Sequence, residues 1–310
     1  MLLSAVSLID KEDYRVDPLE KTRDHTTHQI SISARRWWIL LAVSIVLLIA
    51  TYVLAVLTAT GQGLENTALR GADQASPADS DEAWESLGNI TIWSLGIATA
   101  IIGLIGLLRR KFILAVVGMG VIVGGQVITQ ALKRFILPRP ELVEVTGDYT
   151  HNSFPSGHTT IAMTVLVAVL LVVPYRWRGW AMLVVMTWAV SIGAYTTTAK
   201  WHRFSDTLGA DLVALIVGSI AAIILLRASL VRPTAQRFKL RVVYVVIMAI
   251  GGIITLGLGL FIGFSAAAKD LHVPVIEWDM YLTANSLATA CSIIAALAYW
   301  ATWRRLEVVI

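Results

Sequence analysis

The sequence predicts an all-α fold, a polytopic bundle of membrane-spanning helices, on three observations. Of its 310 residues, 56% are hydrophobic and 15% charged, and the mean hydropathy is +0.71. Apolar runs recur along almost the whole chain, each close to the roughly 20 residues that a helix needs to cross about 30 Å of hydrocarbon. Lys and Arg fall in short clusters between those runs, the mark of a fixed membrane orientation. This balance excludes a soluble enzyme. A net charge of +4 would suit a nucleic acid, but its placement between apolar runs is a topology signal, and no nucleic-acid partner is expected. The single cysteine, Cys291, lies inside an apolar run and supports neither a disulfide framework nor a cysteine metal site.

In chain order, residues 1–34 are polar, mixed in charge and poor in apolar positions, and read as a flexible cytoplasmic tail. Their start, with Asp10, Lys11, Glu12, Asp13 and Arg15, lacks the basic-then-apolar pattern of a cleaved signal peptide. Eight spans follow, at about 37–60, 88–108, 112–132, 157–174, 179–199, 206–226, 242–263 and 282–302. Residues 35–226 form a six-helix core, and 227–310 a cytoplasmic linker with two additional helices. Arg35 and Arg36, then Arg109 to Lys111, Arg176 and Arg178, Arg227 to Arg241, and Arg304 with Arg305 mark the inner face. Both termini are therefore expected inside, as in a plasma membrane protein. The first outer loop carries Glu65, Asp73, Asp79, Asp81, Glu82 and Glu85 against Arg70 alone. Trp37, Trp38, Trp177, Trp180, Trp201, Trp278 and Trp303 lie near span ends, where an indole suits the headgroup region. Gly120 with Gly124, and Gly259 with Gly263, are spaced for close helix approach.

Three polar stretches interrupt this pattern, and the alternation puts all three on the outer face. The first runs from Lys133 to Pro140, the second from Asn152 to His158, the third from Lys200 to Asp206. Taken alone, Lys133 and Arg139 suit a snorkelling pair. Cations on the outer face oppose the inner-face bias, however, and a bound anion explains them better. Arg offers a planar fork for phosphate oxygens and Lys a point charge. Pro155-Ser156-Gly157-His158 reads as a helix start, with Pro in the first turn, Ser156 as cap or hydroxyl donor and Gly157 allowing close approach. Its free N–H groups and dipole favour the same anion. His158 adds a group able to give a proton to a leaving oxygen. His202 and Asp206, four apart, share one face of a helix, so the carboxylate fixes one ring nitrogen and leaves the other free to attack. Arg203 stands beside them as a further phosphate ligand. An ordinary cap and an ordinary His–Asp pair are the bland alternatives for each motif alone; their coincidence on one face favours chemistry. His25 and His28 in the tail and His272 in the last outer loop read as solvated, and no spacing assigns His151 a role.

Over about residues 35–226 these motifs resemble the type 2 phosphatidic acid phosphatase superfamily, membrane lipid phosphatases related to vanadium haloperoxidases. The resemblance implies a six-helix core. It also implies that His202 forms a phosphohistidine, Asp206 orients it and His158 protonates the departing alcohol, with no metal or other cofactor taking part. Lys133, Arg139, Ser156, Gly157 and Arg203 would then hold the phosphate. Pro155 to His158 matches the family's middle motif intact. In the first motif five residues separate Lys133 from Arg139, against six in the family pattern, which makes Arg134 the fallback for Lys133. Where the third motif carries Ser-Arg, this chain has Tyr195 and Thr196. Arg203 and Lys200 are the candidates to restore the missing charge.

The expected activity is metal-independent hydrolysis of a lipid phosphate at the outer surface. The substrate classes are a polyprenyl diphosphate, a phosphatidic acid or a phosphatidylglycerol phosphate. Two other classes compete: a phosphotransferase that shares the phosphohistidine, and a catalytically silent homologue that binds or moves phosphorylated lipid, motivated by Tyr195 and Thr196. A generic transporter would place its ionisable residues within the spans.

Overall fold

The computed structural model describes residues 18–144, 152–235 and 239–308. It contains ten α-helices: α1 (Pro18–Thr51), α2 (Ala59–Gly71), α3 (Pro77–Gly88), α4 (Ile92–Leu108), α5 (Phe112–Ala131), α6 (Gly157–Val172), α7 (Arg178–Thr198), α8 (Phe204–Arg227), α9 (Lys239–Ala267) and α10 (Pro274–Thr302). The chain is a polytopic helical membrane protein. Among the described residues, six helical segments are long and apolar enough to cross a membrane. The pair α3 and α4, bent by 59° at its break, would make a seventh.

Every predicted span coincides with a helix, but eight full crossings are not found. The run at 157–174 forms α6, only 16 residues long and below the length of a span. It is nonetheless deeply buried: Ala162, Met163, Leu166, Ala168, Leu170, Leu171 and Val172 are almost inaccessible. Its apolarity therefore serves the bundle interior more than lipid. The first span ends early, in a π-helical turn at Tyr52–Val56, because Thr58 caps a new helix by accepting from Gly61 N. At the other end, α1 begins at Pro18, so residues 18–34, expected as a flexible tail, are helical. Pro suits a first turn, and no Gly or further Pro interrupts the stretch. The remainder of that tail, and the side chains of His25 and His28, lie outside the described residues.

Helix α8 is the axis of the bundle. It packs against α1, α5, α6 and α10, and Ala210, Val213, Ala214, Ala222 and Leu225 are fully buried. Small residues set the approach: a Cβ added at Gly218 would meet Val167 Cγ1 at 2.8 Å and Tyr299 Cε2 at 2.9 Å. Gly259 and Gly263 do bring α9 onto α10, at Leu287 and Thr283, whereas added Cβ atoms at Gly120 and Gly124 would meet nothing within 4 Å. In α5 it is Gly118 and Gly125 that face neighbours.

The arginines expected on the inner face also hold the bundle together. Arg36 Nη1 donates to Thr302 O (3.1 Å), Arg109 Nη2 to Val308 O (2.6 Å) and Arg178 Nη1 to Leu306 O (3.0 Å). They tie α1, the end of α4 and α7 to the last residue of α10 and the chain that follows it, where β1 (Val231–Pro233) pairs antiparallel with β2 (Leu306–Val308). Trp37 and Trp303, expected in the headgroup belt, are instead buried within this knot, their rings 5.1 Å apart. Trp38, Trp177 and Trp180 are exposed as belt residues should be.

Candidate active site

The three polar stretches converge at one end of the bundle, over the start of α8. His202 and Asp206 make the predicted contact, Nδ1 to Oδ2 at 3.3 Å, but not as two residues on one helix face. The helix begins at Phe204, and His202 sits in the turn before it. Asp206 occupies the third helical position and accepts from Arg203 N at 2.9 Å, the side-chain-to-backbone closure of a helix N-terminus. The carboxylate thus fixes the turn and the imidazole together. From behind, the carbonyl of Thr196 accepts from both Trp201 N and His202 N at 3.0 Å.

Asp206 also anchors the second motif, since Ser156 N donates to its backbone oxygen at 2.8 Å. Ser156 is the N-cap of α6, accepting from Thr159 N at 3.3 Å, so Pro155 precedes the helix and does not open its first turn. The Phe154–Pro155 peptide is cis. Tight packing seats this loop on α8: a Cβ at Gly209 would lie 2.6 Å from the Phe154 ring. Gly157 meets no comparable restriction, its nearest neighbour to an added Cβ being Gln130 Nε2 at 3.6 Å. The His158 ring lies 6.3 Å from that of His202 and 5.0 Å from that of Trp201. Trp84 of α3 packs edge-on against Trp201 at 4.8 Å.

Lys133 lies in a π-helical turn, Leu132–Ile136, that closes α5. Its charge acts on His158, His202 and Asp206, while Arg134, the fallback, is exposed. The short connection to Arg139 is clamped at both ends. Asn152 Nδ2 donates to Lys133 O (2.9 Å) and Leu137 O (2.5 Å), Tyr52 Oη to Pro138 O (2.5 Å) and Gln62 Nε2 to Pro140 O (2.8 Å). Arg139 is brought close to Arg203, Glu65 and Asp206, and burial lowers its pKa from the ordinary value, with the neighbouring Arg203 charge adding to the effect. Both terminal nitrogens of Arg139 are buried without a hydrogen-bond partner among the described residues. Unused buried donors are costly, and a phosphate would satisfy them bidentately.

The two candidates for the missing third-motif charge separate. Lys200, at a φ of 59°, pairs with Asp73 at the surface. Arg203 is buried; its Nη1 donates to Ser153 Oγ at 2.9 Å, and its Nε and Nη2 reach Asn66 Oδ1 at 3.4 Å. Tyr195, where the family pattern has Ser, turns away to donate to Glu82 at 2.5 Å.

Sequence reasoning missed the contribution of α2. Glu65 Oε1 accepts from Ser205 N at 2.9 Å, and burial, together with the nearby Asp206 charge, pushes its carboxyl up to about 7. Glu65 and Asn66 looked like part of an acidic outer loop; only the amphipathic pattern of 59–71 hinted at a helix with a buried face. Arg70 of the same helix bonds Glu277 of α10 at 2.5 Å and so joins α2 to α10. His272 is exposed beside Asp270, as expected; His151 lies outside the described residues.

The His202 ring is held below its ordinary pKa by burial, against the pull of Asp206, so it stands neutral near neutral pH. The arrangement therefore offers a neutral, oriented imidazole, a second imidazole in reach, and the two terminal guanidinium nitrogens of Arg139, which lack a partner among the described residues. No curated protein and no solved structure matches the chain. Residues 111–232, which carry all three polar stretches, match the model of the PAP2 superfamily, and the chain carries a PAP2 superfamily domain over that stretch.

Proposed function

We propose that this chain is a membrane lipid phosphatase that works through a phosphohistidine on His202. The observation that carries the reading is the pairing of His202 Nδ1 with Asp206 beside the unused buried donors of Arg139. The carboxylate fixes the tautomer, so the other ring nitrogen attacks phosphorus while the P–O bond to the alcohol breaks. Burial, with the His202 and Lys133 charges, holds the His158 pKa at about 4, so it takes up a proton as the phosphate dianion binds and gives it to that alcohol; water then cleaves the phosphorus–nitrogen bond, regenerating His202 and releasing phosphate. Lys133, Arg139, Arg203 and the α6 N-terminus from Ser156 and Gly157 hold the equatorial oxygens, where charge shifts during transfer. The six-helix core at 35–226 carries this chemistry; the segment 227–310 supports it.

The substrate is a lipid phosphate, of polyprenyl diphosphate, phosphatidic acid or phosphatidylglycerol phosphate type. The inner-face arginine clusters support cytoplasmic termini and an outward site. The test is phosphate release from a panel of these lipids by purified protein in chelator, with His202→Ala beside wild type. Release by wild type and none by the variant is expected. Activity surviving in His202→Ala refutes the nucleophile, and no release from any substrate refutes the phosphatase. Transfer to an added alcohol in place of water would identify the phosphotransferase with the same intermediate.

A further inference from the structure

Behind the site lies a cavity of about 360 Å³ between the end of α1, α2, α9 and α10, within the roughly 300–1,000 Å³ of small-molecule pockets. Among the described residues, the charged ones that line it are Glu65 and Arg203, the two that bond to the α8 N-terminus, Asn66 and Ser153. The rest of the wall is almost wholly apolar. Small residues, Ala55, Gly61, Ala68, Gly263 and Ala284, are among those that line it, and Gly61 and Gly263 let their helices approach Leu54 and Thr283 closely around it. Its rim carries Leu54, Leu260 and Phe264, which are 66%, 43% and 79% exposed and belong to candidate membrane spans. The cavity thus joins the polar site to a surface that faces lipid. Water gains little there, because an apolar wall gives it too few partners.

Resting on the phosphatase reading, we infer that this cavity holds the hydrocarbon tail of the substrate itself, entering from the bilayer between α1 and α9. The headgroup then meets Arg203 as the tail fills the space beside it. This assigns a role to the two helices that follow the matched stretch: α9 and α10 supply the far wall of the tail site. Binding energy from this remote part of the substrate is available to orient the phosphate.

The test places the protein in phosphatidylcholine nanodiscs with an alkyl phosphate carrying a diazirine in its tail, and maps the labelled peptides after photolysis. Expected is labelling within Gly259–Ala267 and Met280–Leu287 that excess hexadecyl phosphate removes and hexadecanol does not. Labelling spread over all lipid-facing helices overturns the inference. So does equal competition by hexadecanol, which would mean a resident bilayer lipid. In parallel, Ala284→Phe is expected to lower the ratio of kcat/KM for hexadecyl over butyl phosphate by at least about ten-fold; an unchanged ratio also overturns it. The wild-type label map needs no variant to fold. If neither substrate releases phosphate while the label is competed as expected, the phosphatase reading fails and the tail site stands.

Discussion

Replacing Arg203 tests most directly how this chain completes a phosphate site without the third-motif arginine. Arg203 is only 3% exposed, held at 2.9 Å to Ser153 and 3.4 Å to Asn66 beside Asp206. If it stabilises the transferring phosphoryl group, Arg203→Ala removes one preorganised donor set from a desolvated site. Loss of one such donor costs about 10²–10³ in rate, or about 2.7–4 kcal/mol. Lys200 offers the contrast. Its side chain is 28% exposed and its partner Asp73 62% exposed, so Lys200→Ala gives up a surface pair worth at most about 1 kcal/mol. Arg203→Lys keeps the charge and loses the planar fork, and falls between the two. Initial rates of phosphate release, with kcat and KM resolved, measure all three beside wild type. Thermal melting in the same detergent checks that the fold survives. Equal, small losses for Arg203→Ala and Lys200→Ala would refute the assignment of Arg203 to the phosphate.

Glu65 makes stability depend on pH. Its folded pKa, about 7, lies above the unfolded value, so its contribution is full below that unfolded value and lost as pH rises through about 7. The melting temperature of Glu65→Gln should therefore gain on wild type between pH 5 and pH 8, and a constant difference would show that Glu65 is not buried as described. Gly209→Ala should force Phe154 and Pro155 off α8 and cost about 1–3 kcal/mol of stability, with loss of phosphate release. Gly96→Ala, where an added Cβ meets nothing within 4 Å, should change neither; matching effects would refute the packing argument. Sidedness is checked in intact cells of a Cys291→Ala background. A cysteine at the exposed Glu141 should react with an impermeant maleimide, while one at Arg232 reacts only after permeabilisation. The reverse pattern would overturn the outward site.

The sequence by itself determined the class of protein and the identities of the groups that meet. Span composition follows from the solvent each helix faces, so hydropathy reads it directly: every predicted run is a helix. The motifs were legible because the proposed phosphoryl transfer calls for particular side-chain types, an imidazole, a carboxylate and cations, and a few residues suffice to declare them. Spacing alone misjudged how they meet. His202 and Asp206 are joined through a capped turn, because four residues across a helix N-terminus can be bridged in more than one way. Tertiary structure alone decided which of the two cations beside His202 lies inside, Lys200 or Arg203: Asp73 draws one to the surface, and Asn66 and Ser153 hold the other within the candidate site. It likewise decided that Trp37 and Trp303 are core, that α6 is too short to be counted a span, and that the outer acidic loop is a helix delivering Glu65 to the site. Apart from the length of α6, those outcomes depend on contacts between residues far apart in the chain, 50 positions for Arg203 with Ser153 and 127 for Lys200 with Asp73, and local composition carries no record of them.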